Sequence, residues 1–311
     1  MTFQDTLKSK DTEEWLDLIF YRPVGYFWAL LFKKLNVTPN VVSILSIFLG
    51  VAAGILFYYN NLWLNILGIG LLIWANTYDS ADGQLARMTG NFSEVGRILD
   101  GAASNCWFVT IYIAICLRLT PEWGLSVWVL AVVSGYFHIQ QAAMADYLRN
   151  FHLLFVHENK RSEFDDSTIL RQQNQRLSWK NNFFEKLFRV YYTNYTISQE
   201  RWTPHLQAFR KTFQKNNNKT DSVDSLNGRT QESKSQSFRQ AFRKASKPMM
   251  KYTNILSFNT RAMALCICLL TGYTWVYFLF ELSVMNVILF YMLYKYEAIC
   301  KEFTVRLRGD D

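Results

Sequence analysis

Residues 76–104 read NTYDSADGQLARMTGNFSEVGRILDGAAS and hold three aspartates at helical spacing. Asp79 and Asp82 are three apart, so they share one face of a helix. Gly83 follows directly, and Ala86 and Arg87 lie one turn further on. Gly96 comes after an eight-residue connection, and Asp100, four beyond it, shares its face on the next helix. Three carboxylates gathered in a low dielectric repel one another unless a cation stands between them. Hard oxygen donors suit Mg²⁺ or Mn²⁺, ions that keep positions open for phosphate oxygens. Arg87 beside them suits a phosphate. The chemistry is metal-assisted phosphoryl-type transfer. The competing reading is a structural Asp–Arg cluster tying two helices together. Gly83, Ala86 and Gly96 let those two helices approach closely, which would set Asp100 opposite Asp79 and Asp82.

Positioning such a set requires long apolar helices, and the composition supplies them. Half of the 311 residues are hydrophobic and 16% are aromatic, which excludes a chain disordered throughout. Several apolar runs approach the ~20 residues needed to cross a bilayer, which argues against a single soluble core. Six spans are expected, at about 41–59, 62 to the mid-80s, 97–117, 123–145, 261–280 and 283–300. Turns fall at Asn60, at Pro121 and, very tightly, at Glu281. Residues 14–35 interleave apolar and charged positions, as in a helix lying in the interface with Arg22, Lys33 and Lys34 toward headgroups. Thr38 is expected to cap the first span, with Pro39 at its first position. The fold class is therefore all-α: an integral membrane bundle of six transmembrane helices preceded by an interfacial amphipathic helix. Its segments are a cytoplasmic N-terminus and interfacial helix (1–40), spans one to four (41–148), a basic insertion (149–258), and spans five and six with a basic tail (259–311).

The net charge of +8 is unevenly placed. Residues 149–258 carry 20 Lys and Arg against 9 Asp and Glu, whereas the rest of the chain carries 13 against 16. No nucleic-acid motif accompanies the basic stretch, so it reads as a cytoplasmic loop, and no nucleic-acid partner is expected. Six spans put both termini on one side, and the opposite turns contain Arg118 alone, which places both termini in the cytoplasm. The expected location is a bacterial inner membrane. Residues 215–237 are almost free of apolar side chains and are expected to be disordered. The segment from Met1 to Asp17 is charged and lacks the apolar run of a cleaved leader. Cys106, Cys116, Cys266, Cys268 and Cys300 sit in apolar stretches without a CxxC pair and read as small buried hydrophobes.

The pattern D-x2-D-G-x2-A-R-x8-G-x3-D-x3-D marks the CDP-alcohol phosphatidyltransferases, and the chain resembles that family. Asp79, Asp82, Gly83, Ala86, Arg87, Gly96 and Asp100 match seven of its eight fixed positions at the correct spacing. The Thr38-Pro39-Asn40 turn, the interfacial helix and the six spans are similar to the family's architecture, whereas residues 150–258 lie outside the resemblance. It implies transfer of a substituted phosphate from a CDP-linked donor, by default CDP-diacylglycerol, to an alcohol, with release of CMP. It implies that Asp79, Asp82 and Asp100 bind the divalent metal. Gly83, Ala86 and Gly96 would admit the cytidine part close to backbone, and Arg87 would touch phosphate. The implied partners are the lipid donor, the alcohol acceptor and membrane lipids, with a homodimer left open.

The eighth position departs from the pattern. It holds Ser104, where the family has the carboxylate that helps bind a second metal and serves as base. Another group would have to supply the base, or the acceptor's own phosphate would. Otherwise the scaffold uses a different donor, or binds without catalysis. The fourth span ends in HIQQAAMADYLRNFH, which by resemblance lines the acceptor cavity. Asp146 or His138 is a substitute base there, beside Gln141 and Arg149. Interhelical hydrogen bonding for His138 and interfacial anchoring for Arg149 are the competing readings. The catalytic set is thus Asp100, Ser104 and Asp146. The alternatives are headgroup transfer to another lipid alcohol, such as a ceramide, and a catalytically silent lipid- or nucleotide-binding membrane protein.

Overall fold

The computed structural model describes residues 11–156, 167–178, 183–220 and 228–309, and every regular element among them is helical. Five stretches are long and apolar enough to cross a membrane: Pro39–Leu56, Ala103–Trp123, Ser126–Val156, Gln236–Thr271 and Trp275–Gly309. The chain is an integral membrane protein. The helix Leu62–Thr89, the second of the six expected spans, is not among the five. Its first two-thirds are apolar, but its last third carries Asn76, Asp79, Asp82, Gln84 and Arg87.

The chain divides into two compact units. The first joins residues 1–139 to 254–286. A π-helical turn, Asp17–Tyr21, leads into α1 (Arg22–Lys34), and α2 (Pro39–Leu56), α3 (Leu62–Thr89) and α4 (Glu94–Trp123) follow. Pro39 opens α2 as expected, since its missing N–H belongs to a turn that has no helical acceptor. Thr38 is extended, but its side chain makes no capping bond. Asn61 caps α3 by accepting from the N–H groups of Trp63 and Leu64 at 3.0 and 3.2 Å. Gly90 ends α3 in the left-handed conformation, φ 67°, where a side chain would be strained.

The helix between the chemistry-bearing pair is α2. It packs against both α3 and α4, while α3 and α4 touch each other far less. Among the described residues α3 and α4 thus meet mainly through a shared partner, α2. Glycines explain the choice. A Cβ on Gly50 would fall 2.1 Å from the Trp107 ring, one on Gly54 2.9 Å from Thr110, and one on Gly68 2.5 Å from the Phe57 ring. Small residues on α2 thus admit large ones from α4, and Gly68 of α3 admits Phe57. Trp107, Ile111 and Ile115 of α4 join Phe57, Leu72 and Ala75 in one buried core, completed by Leu265, Tyr277 and Phe278. On the other flank, Ala29 and Phe32 of α1 pack with Val42, Ala81 and Leu85.

α5 (Ser126–Val156) contributes its first half to this unit, as do α11 (Phe258–Thr271) and α12 (Trp275–Phe280). The expected tight turn at Glu281 is absent. The chain turns instead at Gly272, φ 81°, and Glu281 lies inside a continuous helical rod, at the start of a π-helical segment, Glu281–Met285. Glu281 is fully buried and receives hydrogen bonds from Arg261 and Tyr277. A carboxylate marks a turn in sequence because it seeks water; here a buried guanidinium takes water's place. Arg118, expected only as a topological signal, donates to the carbonyls of Phe57 and Tyr59 and to Asn60, closing the end of α2.

The second unit joins residues 140–253 to 287–311. It holds the end of α5, α6 (Ser167–Gln175), α7 (Phe183–Trp202), α8 (Pro204–Thr220), α9 (Gly228–Ser246), α10 (Met250–Ile255, less its last two residues) and most of α13 (Asn286–Gly309). Phe151, Phe155, Phe209, Phe242 and Tyr296 form its buried aromatic core. The stretch expected to be disordered is helical up to Thr220 and again from Gly228, and residues 221–227 lie outside the described residues. Phe238 and Phe242, at four-residue spacing on α9, give that polar helix a face to bury. Of the cysteines, Cys116, Cys268 and Cys300 are buried, Cys266 is half-buried, and Cys106 is exposed.

Candidate active site

The last third of α3 presents two polar faces. One faces α2: Asp82 is 3% exposed and accepts a short hydrogen bond from the Ser43 hydroxyl, one turn inside α2. The Pro39 carbonyl, 3.2 Å from the same hydroxyl, is the alternative acceptor for its one proton. The other face lines a cavity of about 160 Å³ with Asn76, Asp79, Ser80, Gly83 and Arg87. Their spacing of three or four residues makes a single stripe along the helix. Across from this stripe stand Asp17, Tyr21 and Arg22 from the helical turn before the first span.

That opposite wall is held by polar contacts. Gln84 donates through Nε2 to the carbonyl of Arg22 at 3.0 Å, and Gly25 lies so near α3 that a Cβ would meet Ser80 Oγ at 3.0 Å. Asn259, near the start of α11, donates to Glu14 at 2.8 Å and to Asp17 at 2.9 Å. Tyr21 is 6% exposed, and burial pushes its phenol above the usual range, with a hydrogen bond from Asn76 acting the other way. Arg22, expected to face headgroups, is instead paired with Glu13 at 3.1 Å. Lys33 and Lys34 are exposed as expected.

Gly96 sits at the start of α4, where Ser93 caps the helix by accepting from the Gly96 N–H at 2.9 Å. The Ser93 hydroxyl donates in turn to Asn40 Oδ1 at 3.1 Å. A Cβ on Gly96 would fall 2.7 Å from Asn40 Oδ1, so its close approach is to the start of α2. Ala86 is half-buried on α3. Asp100 lies on α4 one turn beyond Gly96, and its side chain is outside the described residues; Ser104, half-buried, follows one turn later.

The donor set suits a hard divalent cation as far as it is described. Asp82 offers a buried carboxylate steadied by a hydroxyl, and Asp79 offers a second at the cavity wall. Among the described residues no three carboxylate, histidine or cysteine side chains gather as one metal-binding group.

The end of the fourth expected span divides between the two units, His138 in the first and Gln141, Met144, Asp146 and Arg149 in the second. His138 is buried beside Tyr112 and accepts from Arg261 at 2.8 Å, which is the interhelical hydrogen bond expected as its competing reading. Asp146 is exposed in the second unit and accepts from Asn150 at 3.2 Å. In that unit Gln141 and Met144 are buried, and Arg149 donates to the Thr253 carbonyl at 3.4 Å. Sequence reasoning missed Ser43, Asp17, Tyr21 and Asn76. The only local signal was Ser43's position one turn after the Thr-Pro-Asn helix start.

Residues 36–146 match the family described as CDP-alcohol phosphatidyltransferase. No curated protein and no solved structure matches the chain. The match runs from the turn before α2 through Asp79, Asp82 and Ser104, and leaves the basic insertion and α11 to α13 outside it.

Proposed function

We propose, from the match of residues 36–146 to the CDP-alcohol phosphatidyltransferases, a family of phosphotransferase enzymes of phospholipid synthesis, that this chain transfers a substituted phosphate from CDP-diacylglycerol to an alcohol and releases CMP. The observation that carries the reading is the stripe Asp79, Gly83 and Arg87 along one cavity wall, with Asp82 held by Ser43 behind it. Arg87 binds a phosphate oxygen of the donor. Gly83 adjoins it: a Cβ there would stand 3.6 Å from the Arg87 head group, in ordinary contact. Asp79, Asp82 and Asp100 would hold Mg²⁺ or Mn²⁺, which neutralises the charge developing on the diphosphate. Ser43 keeps the Asp82 carboxylate oriented by donating to it. A base other than Ser104, or the acceptor's own phosphate, takes the hydroxyl proton. The reading includes α3 as a sixth span, α1 as the interfacial helix and both termini in the cytoplasm of a bacterial cell.

Ser104 favours a second reading, a silent lipid- or nucleotide-binding protein, because a neutral hydroxyl cannot act as a carboxylate base. A CMP-release assay on the purified protein with CDP-diacylglycerol and candidate alcohols separates the two. Release dependent on Asp79 supports the enzyme; CDP binding without release supports the binder. Transfer to a ceramide would appear in the same assay as an acceptor preference.

A further inference from the structure

Arg22 stands in the wall of the cavity that Asp79, Gly83 and Arg87 line from the opposite side. Its guanidinium gives one hydrogen bond, from Nε to Glu13 Oε2 at 3.1 Å. A guanidinium carries five N–H donors, and among the described residues its terminal nitrogens donate to no protein acceptor. The backbone beneath is fixed: Gln84 holds the Arg22 carbonyl, and Gly25 seats α1 against Ser80. The head group thus sits at the end of an anchored stem, with its side chain 14% exposed. Its ionic partner among the described residues, Glu13, is 3% exposed and local in sequence. A second arginine, Arg87, shares the cavity. Two guanidinium groups around one small volume suit a ligand with more than one anionic oxygen, and planar forks suit phosphate in particular.

Resting on the reading of the site given above, we infer that Arg22 binds the diphosphate of the CDP-linked donor, exchanging Glu13 for a phosphate oxygen as the donor enters. Glu13 is then an internal competitor, an anion that occupies Arg22 while the cavity is empty of donor. The consequence is a difference in sign. Removing Arg22 weakens donor binding, and removing the Glu13 charge strengthens it. An ion pair that merely braces the helical turn would give both changes the same sign, because either one breaks the brace.

The test is calorimetric titration of CDP into the purified full-length protein in detergent, once with EDTA and once with Mg²⁺, on wild type, Arg22→Gln, Arg22→Lys and Glu13→Gln. Arg22→Gln is expected to weaken CDP binding about tenfold in both conditions, the scale of one charge-assisted hydrogen bond. Arg22→Lys is expected to fall between wild type and Arg22→Gln, since the charge survives and the fork is lost. Glu13→Gln is expected to tighten binding several-fold, a gain that misfolding does not produce. With CDP-diacylglycerol as substrate the same signs are expected in KM for the donor, with KM for the acceptor unmoved. Wild type that binds CDP while the Arg22 and Glu13 variants shift together, or not at all, overturns the inference and leaves the family reading standing. Wild type that binds no CDP overturns both.

Discussion

Gly96→Ala tests how the start of α4 is locked to the start of α2. The added Cβ would lie 2.7 Å from Asn40 Oδ1 and 3.0 Å from Ser93 Oγ, both well inside ordinary contact. Relief requires Asn40 to swing away, because the Ser93 cap is tied to the Gly96 N–H. That motion gives up the Ser93–Asn40 hydrogen bond at 3.1 Å. Overpacking of this kind costs about 1–3 kcal/mol, and a hydrogen bond about 1 kcal/mol, so Gly96→Ala is expected to destabilise by roughly 2 kcal/mol. Asn40→Ala alone should cost about 1 kcal/mol. The double variant should cost no more than Gly96→Ala alone, because the clashing group is gone and its bond cannot be lost twice. Unfolding in detergent measures all three, and the cycle should show a coupling of about 1 kcal/mol. Costs that add to within ~0.5 kcal/mol would refute the argument, since uncoupled sites behave that way. CMP release on the same variants reports whether α4's register, which carries Asp100, matters to the chemistry.

Asp79→Ala or Asp82→Ala is expected to lower CMP release by roughly a thousandfold or more, as loss of a metal-binding carboxylate does; normal turnover in the double variant would end the reading of these aspartates as a metal site. Glu281→Leu leaves the Arg261 charge in the core without its carboxylate and should destabilise by about 3–5 kcal/mol in unfolding measurements, with most of that regained in Arg261→Met/Glu281→Leu; a single-variant cost under ~1 kcal/mol would show that the bonds Arg261 makes to His138 and the Leu256 carbonyl satisfy it without Glu281. Ser104→Ala should reduce turnover less than about tenfold if the hydroxyl is a spacer, and by about a hundredfold if it positions the acceptor.

Asp79, Gly83 and Arg87 were legible as one stripe, with Asp82 beside it, because an α-helix repeats every ~3.6 residues, so spacing alone puts them on adjoining faces. Membrane character was equally local, since an apolar run long enough to span needs no partner to reveal it. Local polarity also misled. Glu281 read as a turn because a carboxylate in an apolar run normally escapes to water, yet Arg261 and Tyr277 satisfy it inside the helix. Residues 228–237 read as disordered because their polar side chains outnumber the few that the second unit buries through Phe238 and Phe242.

What the tertiary structure decided is which distant segments meet these local patterns. Ser43 bonds Asp82 from 39 residues away, and Gln84 reaches the Arg22 carbonyl across 62. Arg261 joins His138 across 123. Asp17, Tyr21 and Arg22 became part of the cavity because Gly25 lets α1 lie against α3. No periodicity encodes such pairings. They follow from which surfaces are small enough to approach and which buried polar groups still need a partner, and both conditions exist only once the helices have packed.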